Sequence, residues 1–130
     1  MNDIDTFLAS KKFAVAGASE NREKYGNKVL RAYVQASRAV VPVNPGAEEV
    51  EGIPACSSIA DLPEDVDALS IVTPPKVTVE VVKQALSRGI KQIWMQPGAE
   101  HPDAVASAVA AGANVIADGA CVLVALGYRE

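Results

Sequence analysis

The sequence predicts a Rossmann-like, doubly wound α/β domain: one parallel sheet between two helical layers, a three-layer α/β/α sandwich. Three observations predict it. Short apolar runs alternate with stretches of helical periodicity along the whole chain. The apolar runs stop at Gly17, Asn44-Pro45-Gly46, Thr73-Pro74-Pro75 and Gln96-Pro97-Gly98, which are strong turn signals. Two of the amphipathic stretches stop at a glycine, Gly89 and Gly112, the usual left-handed C-terminal cap. Strand, helix and strand in repetition require crossover connections, and these build a parallel sheet.

Taken in order, Phe13-Ala14-Val15-Ala16 is a short apolar run that reads as a buried first strand. Val29, Leu30, Tyr33 and Val34 fall at helical spacing, so a crossover helix is expected from Gly26 to about Ala36. Ala39-Val40-Val41-Pro42-Val43 is the second strand; its proline predicts a strand end or a locally unpaired position. Ser57 to Leu62 has room for a helical turn or two. Ala68 to Val72 is the third strand, Val77 to Ser87 the second crossover helix, and Gln92 to Met95 the fourth strand. Pro102 to Ala111 is a third helix and Val115-Ile116-Ala117 a fifth strand; Ala120 to Leu126 is apolar but of undetermined type.

The 130 residues, 49% hydrophobic and 22% charged, suit a single globular core. No repeat, linker or low-complexity stretch divides residues 1–130, so one domain is expected. A net charge of −4 argues against a broad nucleic-acid footprint. No apolar run approaches the roughly 18 residues of a membrane span. The start, Met1-Asn2-Asp3-Ile4-Asp5, lacks the order of a secretory signal, so a cytoplasmic location is expected. Cys56 and Cys121, with His101 as the single histidine, do not make a structural zinc site; both thiols are expected to be reduced and structural.

Ligands of open parallel sheets sit beyond the C-terminal ends of the strands, where the strand order reverses. The loop from Gly17 to Gly26 occupies that position. Small residues at 16 to 19 allow close backbone approach, and the following helix start favours an anion. Arg22, Lys24 and Lys28 supply charge nearby. The loop is not the dinucleotide fingerprint, because Ser19 and Arg22 stand where G-x-G-x-x-G has its second and third glycines. The second strand also ends in Asn44-Pro45, without the acid that holds a ribose 2′-hydroxyl. NAD loses ground on both counts, and a ligand with an additional phosphate gains it; Arg38 is a candidate partner for that phosphate. Thr73-Pro74-Pro75 offers a stiff apolar wall, or else simply starts a helix. Gln96 and Gly98 offer an uncharged donor and acceptor beside an open backbone, or else a plain turn.

These stretches together resemble a known family. Val15-Ala16-Gly17-Ala18-Ser19, Lys24-Tyr25-Gly26, Val41-Pro42-Val43-Asn44-Pro45, Gly52-Ile53-Pro54, Val72-Thr73-Pro74-Pro75 and Ile93-Trp94-Met95-Gln96-Pro97-Gly98 occur in the order found in stand-alone CoA-binding domain proteins. Those proteins are similar to the N-terminal nucleotide-binding domain of the succinyl-CoA synthetase α subunit. The resemblance implies coenzyme A as ligand, with Ala16, Gly17, Ala18 and Ser19 at its phosphates. It implies Thr73, Pro74 and Pro75 against the nucleotide and pantetheine, and Arg38 where the synthetase has a CoA-contacting lysine. Lys24 and Tyr25 match a pair typical of the stand-alone members, and Asn44, Pro45, Gln96 and Gly98 fall within the matching stretches. The family's Asp-Arg-Cys segment is replaced by Asp118-Gly119-Ala120-Cys121, so no role passes to Asp118 or Cys121. The phosphohistidine loop of the synthetase has no counterpart, and His101 reads as a solvated or capping residue.

No nucleophile with an adjacent base, metal spacing or tuned acid pair is readable. The sequence therefore points to a binder of CoA or acyl-CoA with no catalysis of its own: a carrier, sensor or regulatory subunit, with a partner chain as a possible source of chemistry. The alternative is a small NADP-linked or other nucleotide-dependent enzyme.

Overall fold

The computed structural model describes residues 3–130; Met1 and Asn2, part of the acidic start read above, lie outside the described residues. The chain runs α1 (Asp3–Leu8), β1 (Lys12–Ala16), α2 (Tyr25–Gln35), β2 (Ala39–Val43), β3 (Glu49–Val50), β4 (Ile53–Pro54), a 3-10 turn (Ile59–Asp61), β5 (Ala68–Ile71), α3 (Pro75–Ser87), β6 (Gln92–Met95), α4 (Pro102–Ala110), β7 (Asn114–Ile116) and α5 (Val122–Leu126). Five strands form one parallel sheet in the order β2-β1-β5-β6-β7. The expected Rossmann-like architecture is present, and the strand order reverses between β1 and β5.

Alternation along the strands divides the core into two layers. Ala14, Ala16, Leu69, Ile71, Ile93 and Met95 face α3 and α4, where Val82, Ala85, Ala104 and Ala108 are buried against them. Phe13, Val15, Val40, Trp94 and Ile116 face the other way, toward Val29, Leu30 and Tyr33 of α2, Phe7 of α1 and Val122 of α5. Phe7 meets the Trp94 ring edge-on at 5.3 Å, and Phe13 stacks on Tyr33 at 4.8 Å. The Tyr33 hydroxyl, buried in this layer, is satisfied by Ser70 Oγ at 2.5 Å.

Pro42 is neither at a strand end nor unpaired: it lies inside β2, opposite Val15. Its carbonyl points away from β1 and accepts from Cys56 N at 3.0 Å, while Asn44 N donates to Cys56 O at 2.9 Å. The position without an N–H thus faces the sheet margin, and no bond to β1 is lost. The structure adds α1 and the β3–β4 hairpin, neither of which the apolar pattern marks. The hairpin turns on Glu51 and Gly52, both with positive φ (53° and 79°), as a two-residue primed turn requires. The apolar segment near the C-terminus is helical from Val122, and the fifth strand runs one residue earlier than expected.

Candidate functional site

The C-terminal ends of β1, β2 and β5 converge at the reversal of strand order. Gly17 follows β1 with φ of +90°. A Cβ on Gly17 would stand 2.3 Å from the Val72 carbonyl oxygen, and one on Gly26 would stand 2.0 Å from the Gly17 carbonyl oxygen. The first loop is therefore held by direct backbone contact with the residue that follows β5 on one side and with α2 on the other, which only glycine permits.

Side chains fix the rest of the loop. Asn44 Nδ2 donates to Ala18 O at 2.9 Å, and Asn44 Oδ1 accepts from Gly46 N at 2.7 Å. Asn27, 0% exposed, donates through Nδ2 to Ser19 O at 2.8 Å and to Glu51 Oε2 at 3.1 Å. Asn27 Oδ1 accepts from Arg31 Nε at 2.7 Å, and Glu51 also pairs with Arg22 at 2.6 Å. The hairpin turn is thus tied to the loop through one asparagine and one glutamate. The Arg22 charge is already engaged there, whereas Lys24 and Lys76 have no ion pair among the described residues.

Between this loop, α3 and the 3-10 turn lies a cleft of about 330 Å³. Its lining includes Gly17, Val43, Pro45, Thr73, Val77 and Val81, with Ser57 and Ser58 at one side. An apolar cleft with a few polar groups, within the roughly 300–1,000 Å³ of ligand pockets, is the expected form of a small-molecule site. Two larger hollows, about 520 Å³ each, lie beside β7 and between α3 and α4. Neither is at the switch point, so the smaller cleft is the candidate site.

The structure brings most of the expected residues to this edge. Ala16, Gly17, Pro45 and Thr73 line the cleft. Ala18, Ser19 and Asn44 shape the loop, although both polar atoms of Asn44 are spent within the fold. Pro74 is the N-cap of α3 and Pro75 its first residue, so this segment both borders the cleft and starts the helix. Thr73 bonds to Thr78 through their hydroxyls at 2.7 Å. Lys24 is the N-cap of α2 and Tyr25 its first residue. Tyr25 Oη lies 2.6 Å from Cys121 Sγ and donates to Gln96 Oε1 at 3.3 Å. Burial first, and then the contact with Cys121, hold the Tyr25 hydroxyl pKa well above the ordinary tyrosine value.

Two expected residues are not brought in. Gly98 is exposed beyond β6, its N–H taken by Glu100 Oε1 at 2.8 Å. Arg38 precedes β2 and so lies at the opposite edge of the sheet, because parallel strands begin at the edge away from their ends. Its guanidinium donates to the Leu8 carbonyl and lies 5.6 Å from the Phe13 ring centroid. Asn27, Glu51 and Cys121 are the residues that sequence reasoning missed. Asn27 alone carries a signal, since it precedes Leu30 and Tyr33 by three and six residues, on the buried face of α2. His101 is the N-cap of α4, its Nδ1 accepting from Asp103 N at 3.1 Å. Cys56 and Cys121 are free thiols. Among the described residues no acid, cysteine or histidine cluster suits a metal ion, and no helix is long and apolar enough to cross a membrane.

Fold and cleft together define a Rossmann-like α/β domain with a ligand-sized hollow at its topological switch point. The chain belongs to the family described as CoA binding domain, which it matches over residues 11–127. A conserved hypothetical protein of Pyrococcus furiosus, known from its structure, is 40% identical with a TM-score of 0.84, covering 88% of this chain and 98% of that one. The uncharacterized protein YneT of Bacillus subtilis is 28% identical over 116 residues, 89% of this chain and 85% of YneT. The α subunit of an ADP-forming acetate–CoA ligase of Pyrococcus furiosus is 32% identical over 91 residues, 69% of this chain but 20% of the subunit. The match to a trans-feruloyl-CoA synthase likewise spans 12% of that enzyme. The shared segment is thus a minor part of the ligases and nearly the whole of YneT.

Proposed function

We propose that this chain binds coenzyme A, free or acylated, across the C-terminal edge of its sheet and has no catalytic activity of its own. The observation that carries the reading is the backbone contact of Gly17 with Val72 and Gly26, beside the cleft. A cradle without side chains lets a diphosphate approach the main chain at the start of α2, where the helix dipole favours negative charge. Lys24, the N-cap of α2, and Lys76, in the first turn of α3, are exposed and add charge to this edge of the sheet. The apolar wall of Val43, Pro45, Val77 and Val81 suits the flat adenine. Asn44 replaces the acid that would recognise a nicotinamide dinucleotide's ribose, and its side chain is committed to the loop.

The role that follows is a carrier, sensor or regulatory subunit, with chemistry supplied by a partner chain. The ligases in which a similar segment is a small part support the second half of that reading. Calorimetric titration with CoA, acetyl-CoA, NAD and NADP at low salt tests it. Selective binding of CoA or acetyl-CoA is expected. Binding of a nicotinamide cofactor alone would overturn the assignment and favour an enzyme.

A further inference from the structure

Beside the loop, on the α2 side of the sheet, Gln96, Tyr25 and Cys121 form a cluster that the cleft does not use. Gln96 follows β6 and is 0% exposed. Its Oε1 accepts from Val122 N at 2.9 Å and from Tyr25 Oη at 3.3 Å. Because a backbone N–H can only donate, the amide orientation is fixed, with oxygen toward Val122 and nitrogen away. Gln96 Nε2 is buried and has no partner. A buried amide with two unused N–H groups is costly to the fold, so it marks a place where an acceptor is missing.

Cys121 is half-buried, with its sulfur 2.6 Å from Tyr25 Oη. Its segment is pinned to β6 from both sides, by Trp94 Nε1 to Ala120 O at 2.9 Å and by Val122 N to Gln96. Tyr25 immediately precedes Gly26, whose backbone touches Gly17, so one tyrosine side chain spans from the loop to the thiol. Resting on the CoA reading above, we propose that this cluster receives the pantetheine end of the ligand and that Cys121 joins it covalently by thiol–disulfide exchange. The pantetheine arm carries amide carbonyls, the acceptor that Gln96 Nε2 lacks, and ends in a sulfur.

The co-reactant is a CoA disulfide. The Cys121 thiol gives its proton to water, and the thiolate, toward which Tyr25 Oη turns its one proton from Gln96 Oε1, attacks one sulfur of that disulfide. The ligand's S–S bond breaks, a new one joins Cys121 to CoA, and the other half leaves as a thiolate that takes a proton from water. Disulfides are conserved, so no separate oxidant is needed.

Intact-protein mass spectrometry tests this with CoA disulfide and, as a disulfide without a nucleotide, cystamine. A single CoA adduct is expected, lost in Cys121→Ser and retained in Cys56→Ser, forming at least tenfold faster than the cystamine adduct. Gln96→Leu should slow only the CoA reaction. Calorimetry of Cys121→Ser with reduced CoA is the companion measurement. Retained affinity with no adduct in the native chain would refute the covalent step alone, whereas no affinity in the native chain would refute the CoA reading. Equal rates for CoA disulfide and cystamine, or an adduct on Cys56, would also overturn the proposal.

Discussion

Gly26→Ala should reverse the usual sign of a glycine replacement in a helix. Gly26 is the second residue of α2, where alanine ordinarily stabilises by up to about 1 kcal/mol. Here the added Cβ would stand 2.0 Å from Gly17 O and 3.0 Å from Gly17 C, both main-chain atoms. No rotamer change relieves that contact, and the loop is held beyond it by Asn44 and Asn27. Overpacking costs about 1–3 kcal/mol, and a fixed backbone obstacle places this case near the upper end. The net is a loss of about 2 kcal/mol after the helix gain is subtracted. At roughly 3–5 °C per kcal/mol for a chain of this length, Tm should fall by about 6–10 °C. Thermal unfolding followed by circular dichroism, with urea denaturation beside it, measures the loss. Gly112→Ala is the control: φ there is +81° but nothing lies within 4 Å, so only the left-handed cost of about 1 kcal/mol applies. If Gly26→Ala melts at or above the native temperature, the backbone contact does not hold the loop and the cradle argument fails with it.

Other predictions follow from the same geometry. Asn44→Ala should weaken CoA about tenfold, roughly 1.4 kcal/mol, by freeing the Ala18 carbonyl; calorimetry reads it, and unchanged affinity would deny Asn44 a positioning role. Arg38→Ala should destabilise the fold, since Leu8 O and the Phe13 ring lose a partner, yet leave the ratio of CoA to dephospho-CoA affinity unchanged; a selective loss of CoA would return Arg38 to the ligand. Burial raises the Tyr33 pKa above its unfolded value. The folded state therefore keeps a proton that the unfolded state loses, and stability should be full below about pH 10 and fall above it. Tyr33→Phe should flatten that fall in urea titrations. At neutral pH the same change should cost about 1–3 kcal/mol by stranding Ser70 Oγ, with Tyr33→Phe/Ser70→Ala recovering part.

The sheet and its helices were legible because each apolar run is long enough to show a period and stops at glycine or proline. What escaped has too few residues for a period. In α1 only Phe7 is buried, and each strand of the β3–β4 hairpin contributes two residues. Glu51 at positive φ gave no warning, since glutamate is not a residue that marks such turns. The loop at Gly17 was legible because close approach demands small residues. Arg38 has the charge a phosphate would need, but charge type carries no strand polarity, and its position before β2 puts it at the far edge. Gln96 was visible as a donor and acceptor, but only the fold shows one end consumed by Val122 and the other unpaired.

The margin of the sheet at β2 has a consequence for how the molecule associates. Pro42 has no N–H to offer, its carbonyl and the Asn44 N–H are occupied by Cys56, and among the described residues β2 has no further strand beyond that short bridge. A strand arriving from another chain meets no free ladder at that end of β2, which is one way folded proteins keep exposed margins from templating aggregation. The closed stretch is the end of β2 that borders the cleft through Val43 and Pro45, so the sheet cannot be extended across its own ligand edge there.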